Sequence, residues 1–106
     1  MLIASSNELP GHSITETLGL VRGSAIRSRH FFNDIGEWFR NLAGAELPHY
    51  TKMMAETREQ ALDRMTDQAR MLGADAIVCV RFATTSIATG AAELLAYGTA
   101  VKLAKP

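Results

Sequence analysis

A long alternation of apolar and polar residues follows the first turn-rich segment of the chain. It runs from Ser13 to Ser28 and has the two-residue period of a β-strand with two different faces. Gly19 and Gly23 fall inside it, which predicts a bulge, a bend or the close approach of another backbone. The predicted faces are Ile14, Glu16, Leu18 and Leu20 on one side and Thr15, Thr17, Gly19 and Val21 on the other.

The pattern changes to a helical period in the middle of the chain. Apolar residues at three- and four-residue steps predict a short amphipathic helix over residues 31–44. A longer helix is predicted from about Pro48 to Leu72, with Gly73 ending it. The apolar stripe predicted for the long helix contains Tyr50, Met54, Ala61, Leu62, Met65, Ala69 and Leu72.

Strands are predicted at both ends of the sequence. A short strand is expected over residues 2–5. A strand that is apolar on both faces is expected over 74–82 and a last strand over 94–103, and the polar segment 83–91 is expected to connect these two. The order strand, helix, strand, strand predicts an α+β fold, in which an antiparallel sheet carries the long helix on one face. A chain of 106 residues is expected to form one domain, residues 1–106.

Charge and composition argue against several classes of partner. Eleven basic residues balance eleven acidic ones, so the chain lacks the excess positive charge that attracts nucleic acid or anionic lipid. The single cysteine, Cys79, can form no disulfide within the chain, and the sequence shows neither a signal peptide nor a bilayer-spanning apolar segment. We therefore expect a cytoplasmic protein that binds neither nucleic acid nor a membrane.

Several blocks of residues, in order along nearly the whole chain, match a known family. They are Ile14, Glu16, Leu18 to Val21, Gly23, Tyr50-Thr51, Arg58-Glu59, Ala61, Arg64-Met65, Leu72 to Ala76, Arg81-Phe82 and Ala96 to Val101. These blocks resemble the YbjQ family, which is described as heavy-metal-binding. The resemblance implies a dodecin-like subunit assembled into a closed homo-oligomeric ring, a pentamer or a multiple of one, whose biochemical role is unassigned. A heavy-metal cation is the only cofactor it implies.

Two charged residues occupy positions that the patterns assign to apolar faces. Glu16 shares the parity of Ile14 and Leu18 in the predicted strand, and Arg58 falls inside the apolar stripe of the long helix. An unpaired charge on a buried face is costly, so we expect Glu16 and Arg58 to meet. Two interpretations stay open for this pair, with or without Arg81 as a third member: a structural ion pair, or the polar lining of a ligand pocket or channel.

The residues that could bind a soft metal are few. Thiolate and imidazole ligands are usually needed in threes or fours, whereas the chain offers only Cys79, His12, His30 and His49, with no paired spacing. Cys79 lies in an apolar strand, where cysteine more often packs as a small hydrophobic residue. Metal binding would require a site to which several subunits each contribute one residue.

The stretch "LLAYGTAVKL" near the C-terminus combines small residues with one large ring. Ala96, Gly98 and Ala100 are predicted to lie under the long helix, while Tyr97 faces a neighbouring subunit or the mouth of a pocket. No phosphate loop, nucleophile elbow or metalloprotease motif is present, which favours binding over catalysis.

The sequence is compatible with two functions. The first is a non-enzymatic ring that binds a small ligand or a cation at a shared site, for which the ligand-site candidates are Glu16, Arg58, Arg81 and Tyr97. The second is an enzyme with an active site between subunits. It would use Glu16 as acid or base, with Tyr97 or Arg58 as the orienting group.

Overall fold

The fold is seen in a computed structural model that describes residues 1–27, 47–88 and 91–106, with side-chain burial given for 1–26, 54–85 and 92–106. The predicted short helix over residues 31–44 lies outside these described residues. The elements are β1 (Leu2–Ile3), β2 (Ile14–Arg27), α1 (Leu47–Met71), β3 (Ala76–Ala88) and β4 (Ala91–Leu103).

The four strands form one sheet in the order β1-β3-β4-β2. β4 lies between β2 and β3 and is antiparallel to both, whereas β1 is parallel to β3. The predicted α+β fold, with one long helix on a sheet, is confirmed. The sheet is mixed rather than wholly antiparallel because the two-residue β1 joins the outer side of β3 in parallel.

One narrow stripe of α1 packs on β2 and β4. Thr57, Ala61, Met65 and Ala69 follow one another at four-residue steps and are all buried. The stripe predicted from the sequence is therefore confirmed at Ala61, Met65 and Ala69. The prediction did not include Thr57. No helix in the described part of the chain has both the length and the apolar character needed to cross a membrane.

The helix ends as the sequence predicts. The N–H of Gly73 donates to the carbonyl oxygen of Arg70, and Gly73 has a φ of 77°, which a residue without Cβ adopts at little cost. Leu72, which was predicted to belong to the apolar stripe, is 46% exposed. It lies just beyond the last helical residue, Met71, and so does not continue the stripe.

Gly23 on β2 allows the helix to lie directly against the sheet. A Cβ at this position would collide with the backbone N of Met65, the backbone O of Ala61 and the Cβ of Arg64. Helix and strand therefore touch backbone to backbone, which only glycine permits. Around this contact the core contains Val21, Ala25, Ala61, Met65, Ala69, Ile77, Val80, Ala96 and Ala100.

The opposite side of the sheet carries a second, smaller core. Ala76, Val78 and Val101 are buried there, and Leu9 of the N-terminal segment packs against them. Backbone hydrogen bonds hold that segment to β3: Ala4 donates to Ile77 at 2.9 Å, and its own carbonyl accepts from Val80 at 3.0 Å. The N-terminal segment thus covers one end of this side of the sheet.

β3 is longer than the sequence predicts. It continues to Ala88 through residues that were expected to form a polar connection, and β4 begins at Ala91. Thr84 and Thr85 are exposed and pair with Leu94 and Glu93 of β4. Polarity alone was misleading here, because β-branched threonine is well suited to an exposed strand position.

Candidate functional site

The prediction that Glu16 and Arg58 form a buried pair is wrong for the single protomer. Both residues are exposed. In β2, Glu16 is aligned with Lys102 of β4, and the Lys102 Nζ donates to the carbonyl oxygen of Gly73 at 2.7 Å. Glu16 therefore lies near the C-terminal end of α1, whereas Arg58 lies about 20 Å earlier along that helix.

Irregular pairing divides the predicted apolar face of β2 between the two sides of the sheet. Glu16 stays on the α1 side with Leu18, and it is exposed because it lies beyond the C-terminal end of the helix. Register shifts separate Ile14 from Glu16 and Thr17 from Gly19, so β2 carries an extra residue relative to β4 in each interval. Each bulge reverses the side on which later residues lie. As a result Leu18 packs against the core under α1, while Leu20 is 64% exposed.

Arg58 has a different reason for its exposure. The helix covers β2 and β4 with the single stripe that contains Thr57 and Ala61, and it makes few contacts with β3. Arg58 follows Thr57 on the helix surface and therefore points away from this narrow contact. A helical wheel predicts a broader buried face than the sheet covers.

The side of the sheet opposite α1 has a part that the N-terminal segment does not cover, and we call it the open face. Its strands contribute alternate residues that are aligned by the register of the ladders. These residues are Leu20, Arg22, Ser24 and Ile26 on β2; Glu93, Leu95, Tyr97 and Thr99 on β4; and Arg81, Ala83 and Thr85 on β3.

Three polar side chains lie side by side across the open face. Tyr97 of β4 is paired with Arg22 of β2 on one side and with Arg81 of β3 on the other. Directly opposed residues of antiparallel strands project to the same face with Cβ atoms about 5 Å apart. We call these three residues the arginine-tyrosine row.

The structure thus brings together two of the predicted ligand-site candidates, Arg81 and Tyr97, and separates them from Glu16 and Arg58. Arg22 was missed as a member of such a site. Its position opposite Tyr97 depends on the two bulges in β2, which leave no signal in the sequence beyond Gly19.

Each member of the row has a distinct environment. The Arg81 Nη1 donates to the carbonyl oxygens of Ser5, at 2.7 Å, and Val80, at 2.9 Å, which fixes the guanidinium beside the N-terminal segment. Tyr97 is half-buried, and within the described residues its hydroxyl has no hydrogen-bond partner. Arg22 is exposed, and its backbone N–H donates to the Oε1 of Gln68 on α1 at 2.7 Å.

The predicted metal ligands do not converge within one protomer. Cys79 is half-buried in β3, His12 is exposed in the N-terminal segment, and the side chain of His49 lies outside the described residues, as does His30. Among the residues that the structure describes, no three His, Cys, Asp or Glu side chains form a group that could hold a metal ion.

Cys79 occupies an unusual backbone position. It has a φ of 56° and lies in a bulge of β3, between the pairs Val78 with Thr99 and Arg81 with Tyr97. Its N–H donates to the carbonyl oxygen of Ser6 at 3.0 Å. The bulge brings β3 close to Gly98 on β4, where an added Cβ would lie 2.8 Å from the Cγ2 of Ile77 and 3.0 Å from the carbonyl oxygen of Val78. This explains the glycine in "LLAYGTAVKL".

Comparison with known proteins places the chain among a widespread set of relatives. A family model, YbjQ_1, described as "Putative heavy-metal-binding", matches residues 1–104. A protein of Thermosipho melanesiensis named "UPF0145 protein" is 50% identical over 103 residues, covering 97% of this chain and 95% of the relative. A protein of the same name from Methanosarcina acetivorans is also 50% identical, covering 97% of both chains.

A solved structure has the same fold. The crystal structure of a protein of unknown function from Pediococcus pentosaceus, which belongs to the DUF74 family, superposes with a TM-score of 0.65. The two chains are 17% identical, and the superposition covers 98% of each. At this identity the likeness supports the fold alone.

Proposed function

Because this chain belongs to the YbjQ family, we propose that it is a subunit of a cytoplasmic homo-oligomeric ring, a pentamer or a multiple of one, that binds a small ligand or a metal cation at a site shared between subunits. The observation that carries the proposal is the amount of surface that one protomer leaves uncovered.

The protomer exposes more surface than a compact chain of its size. Its accessible surface is 6955 Å², whereas a compact monomer of 11.5 kDa exposes about 5,800 Å². The radius of gyration is 17.3 Å, compared with about 13 Å for a compact domain of this length. An extended protomer of this kind gains stability when other copies cover it.

The uncovered surface includes large apolar side chains on the sheet. On the open face Leu20 is 64% exposed and Ile26 is 55% exposed, and both belong to β2. Phe82 of β3, aligned with the buried Ala96 on the α1 side, is 45% exposed because the helix lies over β2 and β4 instead. Exposed apolar side chains on both sides of one sheet are what contact between copies would bury.

A metal site in such a ring would require ligands from several subunits. One protomer provides Cys79 and His12 in its described part without a third nearby ligand. Repetition of one thiolate or imidazole around a symmetry axis would supply the three or four ligands that zinc or copper needs.

Light scattering coupled to gel filtration tests the assembly. The wild-type protein should elute with a mass of five protomers or a multiple of five. Leu20→Glu should reduce that mass, because a carboxylate on a buried apolar contact is unfavourable. Met71→Glu is the matched control, because Met71 is already 87% exposed. A wild-type protein that elutes as a monomer at micromolar concentration overturns the ring.

Titration with zinc and with copper tests the metal. Stoichiometric binding to the wild-type assembly that is lost in Cys79→Ser or His12→Ala would support the cation as the ligand. If neither metal binds, the shared site takes a different class of ligand.

A further inference from the structure

We infer that the arginine-tyrosine row, Arg22, Tyr97 and Arg81, binds the phosphate or carboxylate group of a small anionic ligand. The inference deepens the proposed function, because it names the site and the chemical class of the ligand. It rests on that proposal only for the statement that the site is shared between subunits.

The register of the sheet holds the two cationic side chains at a fixed spacing. Arg22 and Arg81 lie on opposite sides of Tyr97 in one row of the open face. Neighbouring strands are about 4.8 Å apart, so the two arginine Cα atoms are about 10 Å apart. The Arg22 guanidinium makes no hydrogen bond within the described residues and can reach over the central tyrosine. Arg81, held at Ser5 and Val80 on the far side of β3, adds positive charge on the other flank of the site.

The charges of the row are not neutralised within the described part of the chain. The ion pair found there joins Arg70 to Asp67 on α1, far from the open face. Arg81 donates from one nitrogen to backbone carbonyls, which leaves further N–H groups on the same guanidinium for a ligand. The carboxylate of Glu93 is on the same face but lies four residues along β4 from Tyr97, opposite Ile26, so within the row itself two guanidinium groups flank the tyrosine and favour an anion next to it.

Tyr97 adds a donor and a flat surface to the row. Tyr97 is half-buried and lies between the two arginines in the strand register, and its hydroxyl has no partner in the described part of the structure. A phenolic hydroxyl that is partly withdrawn from water favours a hydrogen-bond partner. An oxyanion held by the guanidinium groups would provide an acceptor for it.

Space for the remainder of a ligand lies next to the row. A shallow cleft continues from Arg22 past Ser24 and Leu95 to Glu93, with Gln68 of α1 on its side. The cleft is too small and the whole chain too nearly neutral for a nucleic acid. The ligand is therefore expected to be a small molecule with one anionic end.

Isothermal titration of the full-length protein with inorganic phosphate, and separately with succinate, tests the inference. Both titrations are made in a buffer of low ionic strength, because salt screens an exposed site. At least one anion should bind, and Arg22→Met should weaken its affinity about tenfold or more, since a hydrogen bond to a charged group is lost. Tyr97→Phe should weaken the affinity less, by about threefold to tenfold.

A loss of anion affinity in Arg22→Met should not result from unfolding of the variant. The Arg22 guanidinium makes no hydrogen bond within the described residues, so Arg22→Met leaves the known contacts of the fold intact. Arg70→Met is the control, because it removes another exposed positive charge, one that lies on α1. If Arg22→Met and Arg70→Met weaken anion binding equally, the effect comes from net charge alone, and the proposed site is overturned.

Light scattering on the same samples separates the failure of this inference from failure of the proposed function. If neither anion binds at about 10 mM, where a Kd of about 1 mM would already be largely saturated, the site is overturned. If Arg22→Met also dissociates the assembly, the row pairs with carboxylates of another copy, and the ring stands without the anion site. A monomer that binds phosphate through Arg22 would leave the anion site standing and overturn the ring.

Discussion

The two sides of the central sheet are built in different ways. Under α1 the side chains are apolar and buried, and Gly23 and Gly98 allow backbones to approach within contact distance. On the open face most side chains are half-buried or exposed, and two of them are arginines without an ion pair in the described part of the chain. The part of the sheet beneath the helix is complete within a single chain, whereas the open face is left accessible.

This difference separates the residues that determine the fold from those available for binding. A side closed by backbone contact tolerates no added volume, because packed interiors relax only slightly around an extra methyl group. A side that is open to solvent tolerates substitution in the protomer, and effects there should appear in assembly or in ligand binding. The comparison can be tested by small changes on each side.

The largest effect is expected from adding one methyl group at Gly23. Gly23→Ala would place a Cβ against the backbone of Ala61 and Met65, which no side-chain rotation can relieve. The helix would have to move away from β2, and we expect the free energy of unfolding to fall by about 3 kcal/mol. Urea denaturation followed by circular dichroism measures the change.

The adjacent residue provides the control for Gly23→Ala. Ser24 lies on the open face, and its contact with α1 is made through its backbone carbonyl. Ser24→Ala should change the free energy of unfolding by no more than about 0.5 kcal/mol. Similar losses for the two variants would contradict the distinction between the closed and open sides.

A smaller loss is expected at Gly98. Gly98→Ala would bring a Cβ to 2.8 Å from the Ile77 Cγ2 and 3.2 Å from the Val80 Cγ2, both of which are side-chain atoms that can shift. The carbonyl oxygen of Val78, at 3.0 Å, is less able to move because the bulge at Cys79 fixes it. We expect the free energy of unfolding to fall by about 2 kcal/mol.

Thr99→Ser is the control for Gly98→Ala, since Thr99 is half-buried on the open face next in the chain. The same denaturation experiment should show a clearly smaller loss for Thr99→Ser. An unchanged stability of Gly98→Ala would mean that the β3 bulge shifts freely, and that the close approach of β3 and β4 is not required.

Much of the fold could be predicted from periodicity. The four-residue spacing of Ala61, Met65 and Ala69 identified the helix and its buried stripe, and Gly73 identified its end. The alternation between Ser13 and Ser28 identified β2, which runs from Ile14 to Arg27. These signals are local, so they can be read without knowledge of the strands that each element contacts.

The candidate site could be predicted only in part, because it depends on register. The sequence singled out Arg81 and Tyr97, but it also placed Glu16 on a buried face. Glu16 does lie on the α1 side with Leu18, but beyond the end of the helix, and two bulges in β2 are what aligns Arg22 with Tyr97. Bulges are set by pairing with β4, which lies about 80 residues away in sequence, so Gly19 indicates an irregularity in β2 but not the register that results from it.

The smallest of the predicted effects concerns the outer edge of β2, where α1 takes the place of a neighbouring strand. The Arg64 Nη1 donates to the carbonyl oxygen of Ser24, and the Oε1 of Gln68 accepts from the N–H of Arg22. Arg64→Met should lower the free energy of unfolding by about 1 kcal/mol, because a charge-assisted hydrogen bond is lost. Arg70→Met, which removes a solvent-exposed pair with Asp67, should cost less than about 0.5 kcal/mol.

The position of Arg64 at this edge also predicts that Arg64→Met aggregates. An unpaired carbonyl on an outer strand can accept a strand from another molecule, so this variant should aggregate more readily than Arg70→Met at equal stability. Light scattering during storage at high concentration measures the difference. If the two variants aggregate equally, the side chains of α1 do not protect the edge of β2, and copies are free to associate through that strand as well as through the open face.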